Sequence, residues 1–294
     1  MLAQGILGGL SMGMLMGPAM ASTGQYFHKK RGAAMGLAIA GSSLGGIIFP
    51  ILLSKMLYSG TLKFAWTIRI LGFIIAALML PSCFVIRARL PPRKGRFFLP
   101  EAFKIPLYDA IIFSVFLMLV GIFTPFFYLP TYAVQHGMNK ELAANLSAIL
   151  NGASFLGRVV PGVLADKIGA LNMMMAAGLC TGILVFCWQV MTTNAEIIAF
   201  AALYGFFSGA IISLMTFSLT TVTKNPQNIG TYMGMGMAVV SLATLIGPPI
   251  NGALVSKYGS FKQAQDFSGA FVIAGAVSLL VAKKLKGGGM FSKQ

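Results

Sequence analysis

The chain has 294 residues, of which 57% are hydrophobic and only 10% charged, and its mean hydropathy is +0.82. An ordinary soluble domain carries about 25% charged residues, so a water-facing globule of this size is excluded. The formal charge of +16 would suggest nucleic acid on a soluble protein. Here the basic residues are scattered through short loops between apolar runs, so no nucleic-acid partner is expected.

In chain order, nine apolar runs are long enough to cross the hydrocarbon core as helices: 4–27, 33–54, 65–86, 107–132, 142–164, 172–191, 196–222, 230–255 and 267–282. The first begins without a basic n-region and reads as a span rather than a cleavable signal. It carries Gly5, Gly9, Gly13 and Gly17 at four-residue spacing. The second carries Gly32, Gly36 and Ala40, with Gly41 and Gly45 beside them; Gly205/Gly209 and Gly230/Gly234 repeat the spacing later. Small residues at i and i+4 let helix backbones approach closely in lipid. These stripes are expected to be packing surfaces, with sliding between moving helices as the sharper alternative. Pro161, Pro248 and Pro249 are expected to bend their helices. Cys83, Cys180 and Cys187 lie inside apolar runs without CxxC spacing, which argues against a disulfide framework or zinc site. No cofactor or metal is expected, and two histidines with no nucleophile–base pair argue against an enzyme.

The longest link holds Arg87, Arg89, Pro91, Pro92, Arg93, Lys94, Arg96 and Lys104. It divides the chain into a three-span bundle (residues 1–88), a linker (89–106) and a six-span bundle (107–284), followed by a tail (285–294). Placing that tail in the cytoplasm and alternating backwards puts fifteen basic residues inside. Six fall outside (Lys55, Lys63, Arg69, Lys140, Lys257 and Lys262) and Arg158 stays within a span. This bias supports a cytoplasmic C-terminus. The three-and-six division suggests a six-plus-six architecture whose first three spans are missing.

Residues 26–45, from Tyr26 and Phe27 through Lys29, Lys30 and Arg31 to Gly36, Gly41, Ser42, Ser43 and Gly45, resemble the signature of the monocarboxylate-porter family of major facilitator transporters. That signature is an aromatic pair, a basic cluster and a Gly/Ala helix containing Ala-Gly-Ser. Gly157 to Gly169, with Arg158, Gly162, Asp166 and Lys167, is similar to the superfamily's loop motif in its second-half form. Ile246-Gly247-Pro248-Pro249 is similar to the family's eleventh helix. The resemblance implies an all-α membrane protein of the major facilitator fold. It implies helices four to twelve, with a truncated three-helix N-terminal bundle and a complete six-helix C-terminal one.

Arg158 is the leading functional candidate. A charged residue within a span usually faces a cavity or a partner, and a guanidinium can hold a carboxylate by two parallel hydrogen bonds. The resemblance implies contact with a substrate carboxylate; snorkelling, or pairing at the inner mouth, is the alternative. Ser154, one turn earlier, stands where proton-coupled relatives often carry an aspartate, so coupling through an Arg–Asp pair is in doubt. Asn151 lies two turns from Arg158 on the same side. Tyr204 and Phe207 fall where the resemblance implies a pathway-lining helix, with packing as the alternative. Gly162, Asp166, Lys167 and Gly169 are expected to form a gate that locks two helices in one state of the cycle, or a plain turn with a cap. Lys29, Lys30 and Arg31 are expected to set topology, and His28 to lie at the interface.

The function expected is secondary transport of a small organic anion by alternating access, with a proton as a possible co-substrate, in the plasma membrane by the family's habit. Riboflavin is the alternative substrate. A non-transporting sensor, partner protein or inactive fragment is the alternative function.

Overall fold

The structure is a computed structural model that describes residues 2–27, 29–58, 63–87, 89–90, 98–223 and 225–287, with the side chains of 2–4 and Tyr58 outside that description. His28, the linker's Pro91, Pro92, Arg93, Lys94 and Arg96, Lys224, and tail residues 288–294 lie outside the described residues. All regular structure among the described residues is helical. A π turn, Leu2–Leu7, leads into α1 (Gly8–Tyr26), followed by α2 (Arg31–Tyr58) and α3 (Phe64–Val85). A short 3-10 turn, Pro100–Lys104, precedes α4 (Pro106–Ile122), α5 (Thr124–Gln135), α6 (Lys140–Ile168) and α7 (Ala170–Cys187). Then come α8 (Asn194–Val222), α9 (Ile229–Tyr258) and α10 (Lys262–Leu285).

Nine helical segments among the described residues are long and apolar enough to span a membrane, as the hydropathy pattern predicts. α6, α8 and α9 run beyond their apolar runs because their ends are set by caps. Asn139 accepts the Glu141 amide at 3.0 Å to open α6. Thr193 and Glu196 close a reciprocal capping box on α8, the Glu196 carboxylate accepting the Thr193 amide at 3.0 Å. Gly169 (φ 101°) ends α6 and Gly259 (φ 62°) ends α9, conformations that L side chains rarely adopt.

One predicted span, 107–132, is two helices end to end. Pro125 cannot donate to the Gly121 carbonyl and its ring crowds that turn, so α4 stops at Ile122 and α5 restarts at Thr124. Pro161 and the Pro248–Pro249 pair do not interrupt α6 and α9.

α4 to α10 pack by backbone approach at glycines. A Cβ on Gly121 would strike the Ser268 carbonyl, and one on Gly247 the Val120 carbonyl. A Cβ on Gly205 would strike the Leu150 carbonyl, and one on Gly209 would stand 2.6 Å from the Ser154 hydroxyl. The core falls into two clusters. One, around Tyr108, Met118, Leu214 and Met233, takes in Met20, Met35 and Ile39 from α1 and α2. The other, around Trp188, Phe200, Tyr204 and Phe261, lies toward the opposite end of the bundle.

Among the described residues, the stripe expected to pack on α1 meets no neighbour. Nothing among the described residues lies within 4 Å of a Cβ placed on Gly5, Gly9, Gly13 or Gly17. Gly41 and Gly234 are equally open. α3 buries only Thr67 among its 22 residues.

Candidate functional site

The two motif segments, more than a hundred residues apart in sequence, meet along one seam. α2 and α6 run antiparallel there, and each turn of α6 faces a turn of α2. At one end the Asp166 carboxylate caps α2 in trans. Its Oδ1 accepts the Gly32 amide at 2.8 Å and its Oδ2 the Ala33 amide at 3.0 Å. These are two of the four N–H groups that a helix leaves unpaired at its start. The negative charge also sits at the positive end of the helix dipole.

One turn further in, the backbones touch. A Cβ on Gly32 would lie 2.6 Å from the Gly162 carbonyl oxygen, and one on Gly162 would lie 2.8 Å from the Gly32 carbonyl oxygen. A Cβ on Gly36 would run into the Arg158 carbonyl. Only glycine permits this approach, and the approach delivers the next contact.

Arg158 is 6% exposed. It reaches across the seam from α6 to α2. Its Nη1 donates to the Ile39 carbonyl at 2.9 Å and to the Ser42 hydroxyl. Its Nε has no hydrogen-bond partner among the described residues. The side chain therefore points neither at acyl chains nor into open water, and it does not line the hollow of about 500 Å³ that opens between Phe98, Phe103 and the start of α9. Asn151 closes the same face of α6. A Cβ on Gly46 of α2 would stand 2.6 Å from its Oδ1, while its Nδ2 donates to the Ser147 carbonyl at 2.8 Å.

The basic cluster frames the capped end. Arg31 donates through Nη1 to the Thr220 carbonyl at 3.5 Å and through Nε to the Phe27 carbonyl at 3.2 Å. Arg89 donates to the Gln25 carbonyl at 2.7 Å. Lys30, Lys167, Tyr26 and Phe27 are exposed there. Lys30, Arg31, Arg89 and Lys167, four of the residues expected on the cytoplasmic side, thus frame the same capped end.

The structure brings Asn151, Arg158, Gly162 and Asp166 together on the α2-facing side of α6, with Gly36 opposite. It separates the others. Ser154, expected to share a face with Arg158, turns toward α8, where it packs on Gly209; its hydroxyl is buried without a partner among the described residues. Tyr204 is buried between α4, α5 and α8, stacked on Phe200 and donating to the Ile122 carbonyl at 2.5 Å. Phe207 is half-buried edge-on to Phe206. Gly169 terminates α6, and a Cβ on Gly45 would meet, among the described residues, only Phe49 of its own helix.

Ser42 belongs to the sequence signature, but the pattern gives it no task. Its place three residues after Ile39 gives both acceptors to one guanidinium. A second polar cluster had no sequence signal. Thr124 and Ser268 share a hydrogen bond of 2.6 Å, and Ser268 donates to the Asn251 amide oxygen at 3.1 Å. That cluster joins α5, α9 and α10 beside the α4–α5 break.

A sequence model of the Major Facilitator Superfamily matches residues 1–192 and 153–283. Among curated proteins, the aspyridones efflux protein of Emericella nidulans is 58% identical over 284 residues, covering 97% of this chain and 58% of that protein. The MFS-type transporter pynF of Aspergillus niger is 41% identical over 292 residues, covering 96% of this chain and 66% of that one. The agnestins efflux protein of Paecilomyces divaricatus is 35% identical over 293 residues. The chain thus spans about three fifths to two thirds of the length of these relatives. Among solved structures, the transporter FucP in its outward conformation superposes with a TM-score of 0.69 at 16% identity, over 91% of this chain and 71% of that one; this likeness concerns the fold. The relatives are fungal transporters, two of them named for efflux, and none of the three is named as a monocarboxylate porter. The chain belongs to the Major Facilitator Superfamily.

Proposed function

We propose that this chain carries the export of a small, acceptor-rich organic molecule across the plasma membrane, by movement of the three-span bundle (residues 1–88) against the six-span bundle (residues 107–284). The observation that carries the reading is Arg158, a buried cation whose partners, the Ile39 carbonyl and the Ser42 hydroxyl, belong to the facing helix. Such a contact is strong enough to hold the seam and is replaceable by a substrate. A carboxylate or enolate oxygen entering the seam would meet the unpartnered Nε and compete with α2 for the same guanidinium. Substrate binding would then loosen the seam it enters, which is the differential interaction a two-state carrier requires. The Asp166 cap would be remade when the seam closes. No carboxylate partner of Arg158 appears among the described residues, so the reading puts no proton on this site.

The efflux names of the relatives support the direction of transport, and 58% identity to the aspyridones efflux protein supports a substrate of that kind. A simple monocarboxylate is the second substrate reading, favoured by the guanidinium alone.

The test is release from proteoliposomes loaded with aspyridone, lactate or riboflavin, using wild type, Arg158→Gln and Arg158→Lys. Faster release of aspyridone by the wild type, lost in Arg158→Gln, is expected. Equal release by wild type and Arg158→Gln overturns the role of Arg158. Release confined to lactate transfers the assignment to the monocarboxylate reading.

A further inference from the structure

A second site lies at the end of the six-span bundle opposite the Asp166 cap. A cavity of about 440 Å³ opens there between the C-terminus of α5, the turn after α7 and the α9–α10 connection. Ligand pockets for small molecules commonly hold roughly 300–1,000 Å³. Its lining includes Tyr132, His136, Gln189, Phe261, Lys262 and Gln265.

Three observations give the cavity a chemistry. First, Gln265 is 2% exposed, and its Nε2 has no hydrogen-bond partner among the described residues. A buried amide N–H₂ left unpaired is costly, and here it belongs to a residue lining a cavity large enough for a ligand. Second, the charge on the lining is positive. Lys262 contributes an exposed ammonium, and no carboxylate lines the cavity among the described residues. Two acidic side chains stand close by, and both are engaged: Asp266 accepts the Gln189 amide at 2.5 Å, and Glu196 accepts the Thr192 and Thr193 amides at 3.0 Å. Third, the floor is aromatic. Tyr132 and Phe261 stand edge-on with ring centroids 5.5 Å apart, and the fully buried Trp188 lies beneath them, 5.1 Å from Tyr132. Tyr132 is held by its hydroxyl, which donates to the Met191 carbonyl at 2.9 Å. The floor is therefore set before any ligand arrives.

We propose that this cavity binds a small organic anion with an apolar body, its carboxylate taken by the Gln265 amide and the Lys262 ammonium and its body laid on Tyr132 and Phe261. The site is separate from the α2–α6 seam and does not depend on how Arg158 is used. A ligand there bridges the end of α5, the turn after α7 and the start of α10.

The chain has two tryptophans, and Trp66 lies on α3. In a Trp66→Phe background, Trp188 fluorescence reports the floor of the cavity alone. Cyclohexanecarboxylate, which does not absorb with indole, is the probe, and cyclohexanemethanol is its uncharged control. The purified full chain in nanodiscs is expected to show a saturable Trp188 response to the carboxylate. Gln265→Leu and Lys262→Ala should each weaken it by about tenfold, the effect of losing one charge-assisted hydrogen bond. Arg158→Gln should leave it unchanged. Lys262 is exposed, so its variant tests binding even if the buried Gln265→Leu change disturbs folding. An equal response to cyclohexanemethanol, no saturable response, full retention of binding in Lys262→Ala, or loss of it in Arg158→Gln would each overturn the proposal.

Discussion

α1 and α8 carry glycines at the same four-residue spacing and have opposite surroundings. On α8, Gly205 and Gly209 are pressed against the backbone and side chain of α6 so closely that a methyl group would collide with both. On α1, Gly5, Gly9, Gly13 and Gly17 face open space among the described residues. α3 sharpens the contrast: Phe64, Phe73 and Phe84 are 66%, 67% and 77% exposed, whereas α8 buries Phe200, Tyr204 and Leu214 completely. The difference teaches that small-residue spacing states what a helix surface permits. Whether a neighbour uses it depends on which helices lie alongside. In lipid no hydrophobic penalty drives an unpacked apolar face to find a partner, so both conditions coexist in one chain. α2 stands between them, with its Gly32–Gly36 face locked on α6 and its Gly41 face open.

The contrast can be broken by mutation. Gly205→Leu should be the most damaging change, because its side chain has to displace the Leu150 carbonyl. A cost of about 3 kcal/mol is expected, read as loss of a monodisperse peak and a lower melting temperature. Gly13→Leu is the matched control on α1 and should leave both unchanged; an equal loss would mean that α1 is packed after all. Gly36→Val comes next, at about 2 kcal/mol. It should part α2 from α6 without disturbing α8, so a cysteine pair placed across the α2–α6 seam should cease to cross-link while one across α6–α8 continues to. Asp166→Ala removes the cap and the charge, worth about 1–2 kcal/mol together. Hydrogen exchange at the Gly32 and Ala33 amides should accelerate by about tenfold, with the Thr193 amide as an unaffected internal standard. Tyr204→Phe leaves the Ile122 carbonyl without its donor and should cost about 1 kcal/mol. Retained transport in that variant would place Tyr204 in the packing alone. The smallest effect concerns the tryptophans. Brominated lipid should quench Trp66, which is 53% exposed, and spare Trp188, which is 0% exposed; quenching of both would contradict the assigned surroundings.

Much of the site was legible residue by residue, and little of it as geometry. Arg158 announced itself because an ionised group inside an apolar run is costly enough to need a partner. Asp166 did so because a carboxylate beside Gly169 at a helix end has few uses other than a cap or a latch. What the pattern did not reveal was that Asp166 caps α2, whose Gly32 lies 134 positions earlier, rather than its own successor. Helical periodicity placed Ser154 beside Arg158, one turn away. The crowding of α6 between α2 and α8 set them to different neighbours, because two helices share its circumference. Tyr204 read equally well as a pathway residue or as core, and burial decided its surroundings in this structure.

By itself, the sequence determined that the chain lives in lipid, that its described residues hold nine apolar helical segments with their boundaries known to a few residues, and that its basic residues concentrate in the links between them. These are properties of local composition, and the bilayer reads them one helix at a time. Only the tertiary structure decided which glycines touch, that α4 and α5 part at Phe123, and that Arg158 is held by Ile39 and Ser42. The physical reason is range: burial in hydrocarbon is a sum over consecutive residues, whereas a backbone contact or a shared guanidinium exists only once distant helices have been set side by side.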